Sequence, residues 1–219
     1  MIQPYKCVIV ANGCFPQTEL PLRLLHQAST VIACDGAVEA LLHENITPDA
    51  IVGDLDSLAS QLRNQYADRI HIFNEQETND LTKTVRFAQA SGHKEVLILG
   101  ATGLREDHTL GNISLLMEYA PLFDRIEMLS DYGIFTPLLK TTTLTSLPGI
   151  QVSIFSLSES GTITTSGLRW PIQNKKLTAW WQGTLNESID NNFTIQLTKE
   201  AQIIVYRTLE KNKRFYPKV

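Results

Sequence analysis

Ala50-Ile51-Val52-Gly53-Asp54-Leu55-Asp56-Ser57 is the stretch of this chain in which a short apolar run passes directly into two carboxylates. The apolar and β-branched residues predict a β-strand that is buried on both faces. Asp54 and Asp56 follow the end of that strand one residue apart, where like charges repel unless a cation or a proton lies between them. The sequence therefore predicts a divalent ion, Mg²⁺, held by carboxylates and by a substrate phosphate.

Three more polar clusters have a comparable place, either where an apolar run passes into a helix or one loop further on. They are Cys34-Asp35-Gly36, Thr78-Asn79-Asp80-Leu81-Thr82-Lys83 and Gly103-Leu104-Arg105-Glu106-Asp107-His108. In open α/β sheets, ligands bind outside the carboxyl ends of the strands, so we expect all four clusters at one edge of the sheet. Their shared placement predicts a phosphoryl-transfer site.

The first part of the chain alternates short apolar runs with helix-like stretches, which predicts a mostly parallel, twisted sheet flanked by helices. The predicted strands are Cys7–Ala11, Val31–Ala33, Ala50–Val52, Ile70–Phe73 and Val96–Leu99, each buried on both faces. The predicted helices include Leu20–Gln27, Ala37–Glu44, Leu81–Ala90 and Thr109–Tyr119.

After Pro137 the pattern changes to short Thr- and Ser-rich runs separated by Gly, Pro and Asn, which is typical of an antiparallel sheet or sandwich. The predicted strands there are Thr141–Leu144, Val152–Phe155, Thr162–Thr165, Phe193–Ile195 and Ile203–Tyr206. We therefore expect an α/β class fold with two domains: an α/β catalytic domain over residues 1–136 and an antiparallel β-sandwich over residues 137–219.

Composition limits the partners of the protein. The formal net charge of −4 and the absence of a Lys/Arg run argue against nucleic-acid binding. No stretch approaches the ~20 apolar residues of a membrane span, so we expect no membrane partner. The three cysteines, Cys7, Cys14 and Cys34, lack the spacing of a metal site. We expect them to be reduced, in a cytoplasmic protein, with Cys7 and Cys34 buried in strands.

The acidic clusters also have structural interpretations. Asp54 and Asp56 suit a solvated turn in which one Asp caps the next helix, and Asp35-Gly36 alone suits a simple turn. Asn79 is a good helix N-cap, and Asp80 suits the positive end of a helix dipole. These alternatives remain open at the level of the sequence.

Basic residues near two helix N-termini favour phosphate binding. Lys83 lies one turn into its helix, where it would complete a phosphate-binding N-terminus. Arg105 carries a planar fork that binds phosphate with two hydrogen bonds. Arg105, Asp107 and His108 lie at the entrance to the next predicted helix, with Asn112 one turn beyond His108 on the same face.

Taken in order, these motifs resemble those of thiamine pyrophosphokinases. The resemblance continues where Ser166-Gly167-Leu168-Arg169-Trp170 is similar to a Ser-Gly-Leu-Lys-Trp segment of the family, and Thr184–Glu187 to a Ser-Asn-Glu turn. Ala37 stands where a second Gly is common, and the loose form of the turn leaves the role of Asn186 open. The segments that carry the resemblance span nearly the whole chain: Asp35-Gly36, Pro48–Ser57, Asn79–Lys83, Gly103–His108 with Asn112, Thr165–Pro171 and Gly183–Glu187.

The resemblance implies an ATP:thiamine diphosphotransferase, which moves a pyrophosphoryl group from ATP to the hydroxyethyl oxygen of thiamine and releases AMP. It also implies Mg²⁺, a homodimer, and an active site shared between the α/β domain of one subunit and the sandwich of the other. The predicted catalytic carboxylates are Asp35, Asp54, Asp56 and Asp80, the last three as metal ligands and Asp35 as a further ligand or neighbour. ATP is expected at Asn79, Asp80, Lys83, Arg105 and His108, and thiamine at Asp107, Asn112, Ser166 and Trp170.

The tryptophans have competing interpretations. An aromatic wall at Trp170 suits the cationic thiazolium of thiamine, since a cation–π contact contributes about 0.5–2 kcal/mol. The alternative is that Trp170 belongs to the core of the sandwich. Trp180 and Trp181 are adjacent, so in a strand they would face opposite sides and one would enter the core. Neither receives a functional role, and no residue is assigned as general base.

Three other functions are compatible with parts of the pattern. A haloacid-dehalogenase-type phosphatase would use Asp54 as a covalent nucleophile, but the later acidic pair it requires is missing. A nucleotide-sugar transferase would bind its metal through the Asp-x-Asp pair, but it leaves the 79–80 and 105–108 segments without a role. A thiamine or nucleotide sensor would bind tightly without turnover, and it has less need of so many carboxylates around one metal.

Overall fold

The computed structural model describes residues 2–158 and 160–209. The chain separates into two compact units, the first spanning Gln3–Asp131 and the second beginning at Tyr132. The predicted fold class, an α/β unit followed by an antiparallel β-sandwich, is confirmed. The assignment of separate functional domains to residues 1–136 and 137–219 stays a prediction.

Six parallel strands form the sheet of the first unit, in the spatial order β6-β5-β1-β2-β3-β4. They are Cys7–Val10 (β1), Thr30–Cys34 (β2), Ala50–Gly53 (β3), Ile70–Ile72 (β4), Glu95–Leu99 (β5) and Arg125–Leu129 (β6). The helices are Glu19–His26 (α1), Val38–His43 (α2), Ser60–Gln65 (α3), Asp80–Ala90 (α4) and Glu106–Tyr119 (α5). Helix α4 packs against β1, β2 and β3, and α5 packs against β6.

Strand burial agrees with the sequence pattern in the middle of this sheet and differs at its edge. Every residue of β1 and β3 is buried, as expected for strands that are covered on both faces. Strand β4 was expected to be buried as well, and this expectation is wrong. His71 and Ile72 are exposed because β4 is the last strand of the sheet and pairs only with β3.

The loops after β1 and β5 pair with each other where the strand order reverses. The amide of Gly13 donates to the carbonyl of Gly100 at 2.6 Å, and the amide of Cys14 donates to the carbonyl of Thr102 at 2.8 Å. A Cβ atom at Gly13 would lie 2.3 Å from the Gly100 oxygen. Glycine is therefore required at position 13 for these two loops to approach.

Over residues 132–158 and 160–209, the second unit has seven antiparallel strands in two sheets. They are Gly133–Leu138 (β7), Thr142–Thr145 (β8), Gln151–Ser156 (β9), Ile163–Ser166 (β10), Asn186–Glu187 (β11), Asn192–Leu197 (β12) and Ile203–Thr208 (β13). One sheet has the order β11-β9-β13-β7 and the other β10-β12-β8. The inward side chains of both sheets form one apolar core that includes Val152, Ile154, Phe193, Ile195 and Val205. Each sheet alone would expose an apolar face, so the two sheets stabilise each other.

Two adjacent tryptophans depart from the sequence prediction. Trp180 and Trp181 lie in a short helical turn, Trp180–Gly183, and not in a strand. Their exposed fractions are 39% and 74%, so the expectation that one of them enters the core is wrong. The alternation of faces that motivated it applies only to extended backbone.

Cys7 and Cys34 are buried, as predicted, and Cys14 is exposed. Burial raises the pKa of each buried thiol to about 12. Within the described residues, no helix has the length and apolar character needed to cross a membrane.

Replacement of Gly13 by Ala is expected to lower the free energy of unfolding by about 1–3 kcal/mol, because the new Cβ would overlap backbone that cannot move aside easily. Gly111→Ala is the matched control, since nothing lies within 4 Å of a Cβ at this helical position. It should raise stability by up to about 1 kcal/mol through helix propensity. Urea unfolding of both variants gives the comparison, and equal stability of the two would contradict the required close approach.

Candidate active site

Asp35 is a buried carboxylate with one unused oxygen. It follows β2 directly and its exposed fraction is 2%. Oδ1 accepts a hydrogen bond from the Gly36 amide at 2.6 Å, whereas Oδ2 has no hydrogen-bond partner among the described residues. Burial raises the pKa of Asp35, and the nearby carboxylates of Asp80 and Asp54 raise it further. A buried oxygen of this kind is costly unless a cation or a proton reaches it.

The loop after β3 presents Asp54 and Asp56 through a tight turn. Between them Leu55 has a φ of 68°, a left-handed conformation that is unusual for a leucine. The Asp56 amide donates to Asp54 Oδ1 at 3.2 Å, and this hydrogen bond lowers the pKa of Asp54. The Arg63 guanidinium donates to the Leu55 carbonyl and, through Nε at 2.9 Å, to the Leu58 carbonyl. Arg63 therefore holds the backbone of the acidic turn in place.

These two loops bring three carboxylates together. Asp35, Asp54 and Asp56 each offer one oxygen, and the three oxygens lie within 4.8 Å of one another. A Cβ atom at Gly53 would lie 2.9 Å from Cγ of Asp35, so the glycine allows β3 to approach the buried carboxylate. Oxygen ligands at this spacing suit Mg²⁺, which binds through one or two carboxylates and completes its shell with water and phosphate.

Helix α4 begins at this cluster. Asn79 is its N-cap: Oδ1 accepts from the Thr82 amide at 2.9 Å and from the Thr82 hydroxyl at 2.8 Å. The structural interpretation of Asn79 is therefore correct, and its predicted contact with ATP stays a prediction. Its Nδ2 donates to Oδ1 of Asn112 at 3.2 Å, and Asn112 in turn donates to the Ala101 carbonyl at 2.8 Å. These bonds join the start of α4 to α5 and to the loop after β5.

Lys83 points into the acidic cluster. Its Nζ lies 3.0 Å from Oδ1 of Asp80 and 3.7 Å from Oδ2 of Asp54, and its side chain is 2% exposed. Burial alone would lower the pKa of Lys83, but the carboxylates of Asp80, Asp54 and Glu75 outweigh it and raise that pKa. Asp80, predicted as a metal ligand, is thus paired with a lysine in this structure.

The predicted residues at the start of α5 pair mainly with each other. Arg105 donates to Asp107 through Nε at 3.1 Å and through a second nitrogen at 2.5 Å, and both side chains are mostly exposed. The arginine and the amide of His108 lower the pKa of Asp107 to about 2. The structure places Arg105, Asp107 and His108 on one loop and helix start, and their roles toward ATP and thiamine stay predictions.

In the second unit, Trp170 is exposed rather than part of the core. Its exposed fraction is 56%, so the alternative of a core tryptophan is wrong. It borders an open groove of about 350 Å³ whose lining includes Lys175, Gln182 and Asn186. Asn186 fixes the backbone of Trp170, accepting from its amide at 3.1 Å and donating to its carbonyl at 2.7 Å. Ser166 ends β10 and is exposed.

Two residues near the carboxylates, Arg63 and Asn12, are not predicted from the sequence. Arg63 is a single arginine in a polar helix, and no sequence pattern predicts that such a side chain donates hydrogen bonds to backbone carbonyls. Asn12 follows β1 and lies so close to Gly36 that a Cβ there would be 2.1 Å from its Nδ2. Asn12 is the second residue after β1, so the rule that located Asp35 and Asp54, a polar residue at the end of a parallel strand, applies to it as well.

The family models that match this chain and its curated relatives carry the name thiamine (or thiamin) pyrophosphokinase. Residues 22–129 match the family described as thiamin pyrophosphokinase, catalytic domain, and residues 133–206 match thiamin pyrophosphokinase, substrate-binding domain. Thiamine pyrophosphokinase 1 of Oryza sativa subsp. japonica is 32% identical over 174 residues, which cover 72% of this chain and 64% of the relative. Thiamine pyrophosphokinase 2 of Arabidopsis thaliana is 30% identical over 178 residues, covering 73% and 61%. The chain thus spans less than two thirds of the length of these plant relatives.

Solved structures show the same fold. Thiamin pyrophosphokinase from Geobacillus thermodenitrificans superposes with a TM-score of 0.78 at 24% identity, covering 94% of this chain and 98% of that one. The enzyme from Candida albicans gives a TM-score of 0.75 at 16% identity, covering 96% and 95%. At these identities the likeness supports the fold.

Replacement of Asp35 by Asn is expected to raise the unfolding temperature without metal, because it removes a buried charge that has an unused oxygen. The same change should reduce the rise in unfolding temperature that MgCl₂ produces in the parent protein. Thermal unfolding with and without MgCl₂ measures both effects.

Asp107→Asn serves as the control, because Asp107 is exposed and paired with Arg105. It should leave the magnesium response unchanged. An Asp35→Asn variant whose magnesium response equals that of the parent would show that Asp35 takes no part in a metal site.

Proposed function

This chain belongs to the thiamine pyrophosphokinase family, and from that premise we propose that it transfers the pyrophosphoryl group of ATP to thiamine. Its two parts match the catalytic and substrate-binding domains of the family in order. The observation that carries the proposal is the group of Asp35, Asp54 and Asp56, whose oxygens lie within 4.8 Å of one another in the catalytic part. The phosphatase, the nucleotide-sugar transferase and the non-catalytic sensor are not favoured.

In this reaction the hydroxyethyl oxygen of thiamine attacks the β-phosphorus of ATP. The bond between that phosphorus and the oxygen that bridges it to the α-phosphate breaks, and AMP leaves with the electron pair. The hydroxyl proton of thiamine is released to water, and the product is thiamine diphosphate. The protein has mainly to align the two oxygens in line and to offset the charge on the phosphates.

The carboxylates are the proposed holders of the magnesium that such a transfer requires. Asp54 and Asp56 with Asp35 fit the ion best, since they offer oxygens close together and one of these carboxylates has an unused buried oxygen. Asp80, which was also predicted as a ligand, remains part of the proposed site beside them. When bound, Mg²⁺ would offset negative charge on the phosphate oxygens.

Phosphate binding is proposed at the helix starts. The N-terminus of α4, opened by Asn79, carries the positive end of a helix dipole. Arg105 and His108 at the start of α5 supply a guanidinium and an imidazole. Because the Arg105 side chain is exposed, its guanidinium can leave Asp107 and bind a phosphate group instead.

Thiamine binding is proposed at the exposed face of Trp170, with Ser166, Asp107 and Asn112 as further polar contacts. Arg169 of the chain itself lies 5.7 Å from the centre of the Trp170 ring, and this cation–π contact within the chain supports the proposal. We further propose that the protein acts as a homodimer, as the family resemblance implies, and that it works in the cytoplasm, as the reduced cysteines expected from the sequence indicate. Light scattering of the purified protein tests the dimer.

Purified protein supplied with MgCl₂, ATP and thiamine is expected to form AMP and thiamine diphosphate in equal amounts, because a pyrophosphoryl group is transferred whole. Chromatography of both nucleotide and thiamine products measures this. ADP with thiamine monophosphate would instead indicate a simple kinase. Phosphate release without a thiamine product, or tight binding without turnover, would favour one of the alternative functions.

Replacement of Trp170 by Ala is expected to raise KM for thiamine about 2- to 30-fold, the loss of one cation–π contact, with KM for ATP unchanged. Trp181→Ala is the control, since Trp181 is 74% exposed and lies in the same unit. Steady-state kinetics of both variants decides the point. An unchanged KM for thiamine in Trp170→Ala would remove this residue from the site.

A further inference from the structure

Lys83 combines two properties that rarely occur together: a charge and almost complete burial. Its side chain is 2% exposed, and its Nζ lies 3.0 Å from Asp80 and 3.7 Å from Asp54. Buried lysines are tolerated where carboxylates offset the loss of hydration. Here the carboxylates belong to the site proposed for the metal.

The charge of the cluster explains why a lysine lies there. One oxygen each of Asp35, Asp54 and Asp56 lies within 4.8 Å of the others, and Asp80 joins the group through Lys83, whose Nζ lies 3.0 Å from Asp80 Oδ1 and 3.7 Å from Asp54 Oδ2. Without any cation, four carboxylates in one place would repel one another strongly, more so where water is excluded. A single fixed ammonium group offsets part of that repulsion before any divalent ion arrives.

We propose that Lys83 is a built-in counter-cation of the acidic cluster, a positioning residue that keeps Asp54 and Asp80 in place without metal and lowers the affinity of the cluster for Mg²⁺. The inference rests on the proposed function, since it concerns the same metal site. Burial distinguishes Lys83 from Arg105, whose side chain is 74% exposed and pairs with an Asp107 that is itself mostly exposed.

The sequence predicts a different role for Lys83, in which its ammonium group binds the phosphates of ATP; we call this role a phosphate clamp. A clamp would contribute to ATP binding and would have little influence on the protein without ligands. A counter-cation influences stability and metal binding in the absence of nucleotide. Measurements without ATP therefore separate the two roles.

Lys83→Met is expected to lower the unfolding temperature without metal and to enlarge the rise that MgCl₂ produces, with a magnesium dissociation constant about tenfold lower. Differential scanning fluorimetry and titration calorimetry with MgCl₂, at ionic strength balanced with NaCl, measure both. Val85→Ala is the matched control, because Val85 is fully buried on the same helix and carries no charge. It should lower the unfolding temperature equally with and without MgCl₂.

Two further variants keep the test decisive. Lys83→Arg preserves the charge and should keep a magnesium response close to that of the parent. The double variant Asp80→Asn with Lys83→Met removes one charge of each sign and should regain stability relative to Lys83→Met alone. If Lys83→Met does not fold without metal, recovery in the double variant supports the proposal and failure to recover overturns it.

A magnesium response of Lys83→Met that is equal to or smaller than that of the parent overturns the counter-cation role, even if the protein proves to be a thiamine pyrophosphokinase. No magnesium response in the parent protein would overturn it together with the proposed metal site. Formation of thiamine diphosphate is measured separately, so the failure of the inference and the failure of the proposed function are distinguishable.

Discussion

The mutual repulsion of carboxylates at the carboxyl edge of the parallel sheet is the constraint on which the rest of this site depends. Asp35 is held by its own backbone turn after β2, and Asp54 and Asp56 by the turn after β3. Because β2 and β3 are adjacent parallel strands, their ends coincide and the charges must meet. This arrangement of like charges is unfavourable for the stability of the fold. It persists because the strands that impose it are buried, apart from Thr30 at the start of β2.

Glycines and a buried lysine make this arrangement feasible. Gly53 lets β3 lie against the Asp35 side chain, and Gly13 lets the loops after β1 and β5 pair closely. Lys83 supplies positive charge from within the protein, and Arg63 fixes the carbonyl oxygens of the acidic turn. The geometry of the site thus depends on how closely these backbone segments approach one another, as well as on the carboxylates themselves.

The buried parallel strands were predicted well from the sequence, because short continuous apolar runs such as the one that contains Ile51-Val52 are typical of strands buried on both faces. Strand β6 was not predicted, since Arg125 and Glu127 interrupt its pattern. The structure shows that Glu127 is buried and accepts a hydrogen bond from Tyr5, while the Arg125 guanidinium lies 3.8 Å from the centre of the Tyr5 ring. Long-range partners of this kind leave no periodic signal in the chain.

The candidate site was predictable where residue type and strand position coincide, and not where contacts are long-range. Asp35, Asp54 and Asp56 were located by their place after strands, and the structure brings them together. The pairing of Lys83 with Asp80 and Asp54 depends on how α4 packs against β2 and β3, which spacing alone does not determine. The exposure of Trp170 likewise depends on the backbone that Asn186 holds.

The most direct test of the central claim is anomalous diffraction from crystals grown with Mn²⁺, a substitute for Mg²⁺ that can be located without ambiguity. We expect an anomalous peak within bonding distance of the carboxylate oxygens of Asp54 and Asp56, on the side that Asp35 faces. A peak bound elsewhere, with none of these three carboxylates among its ligands, would contradict it.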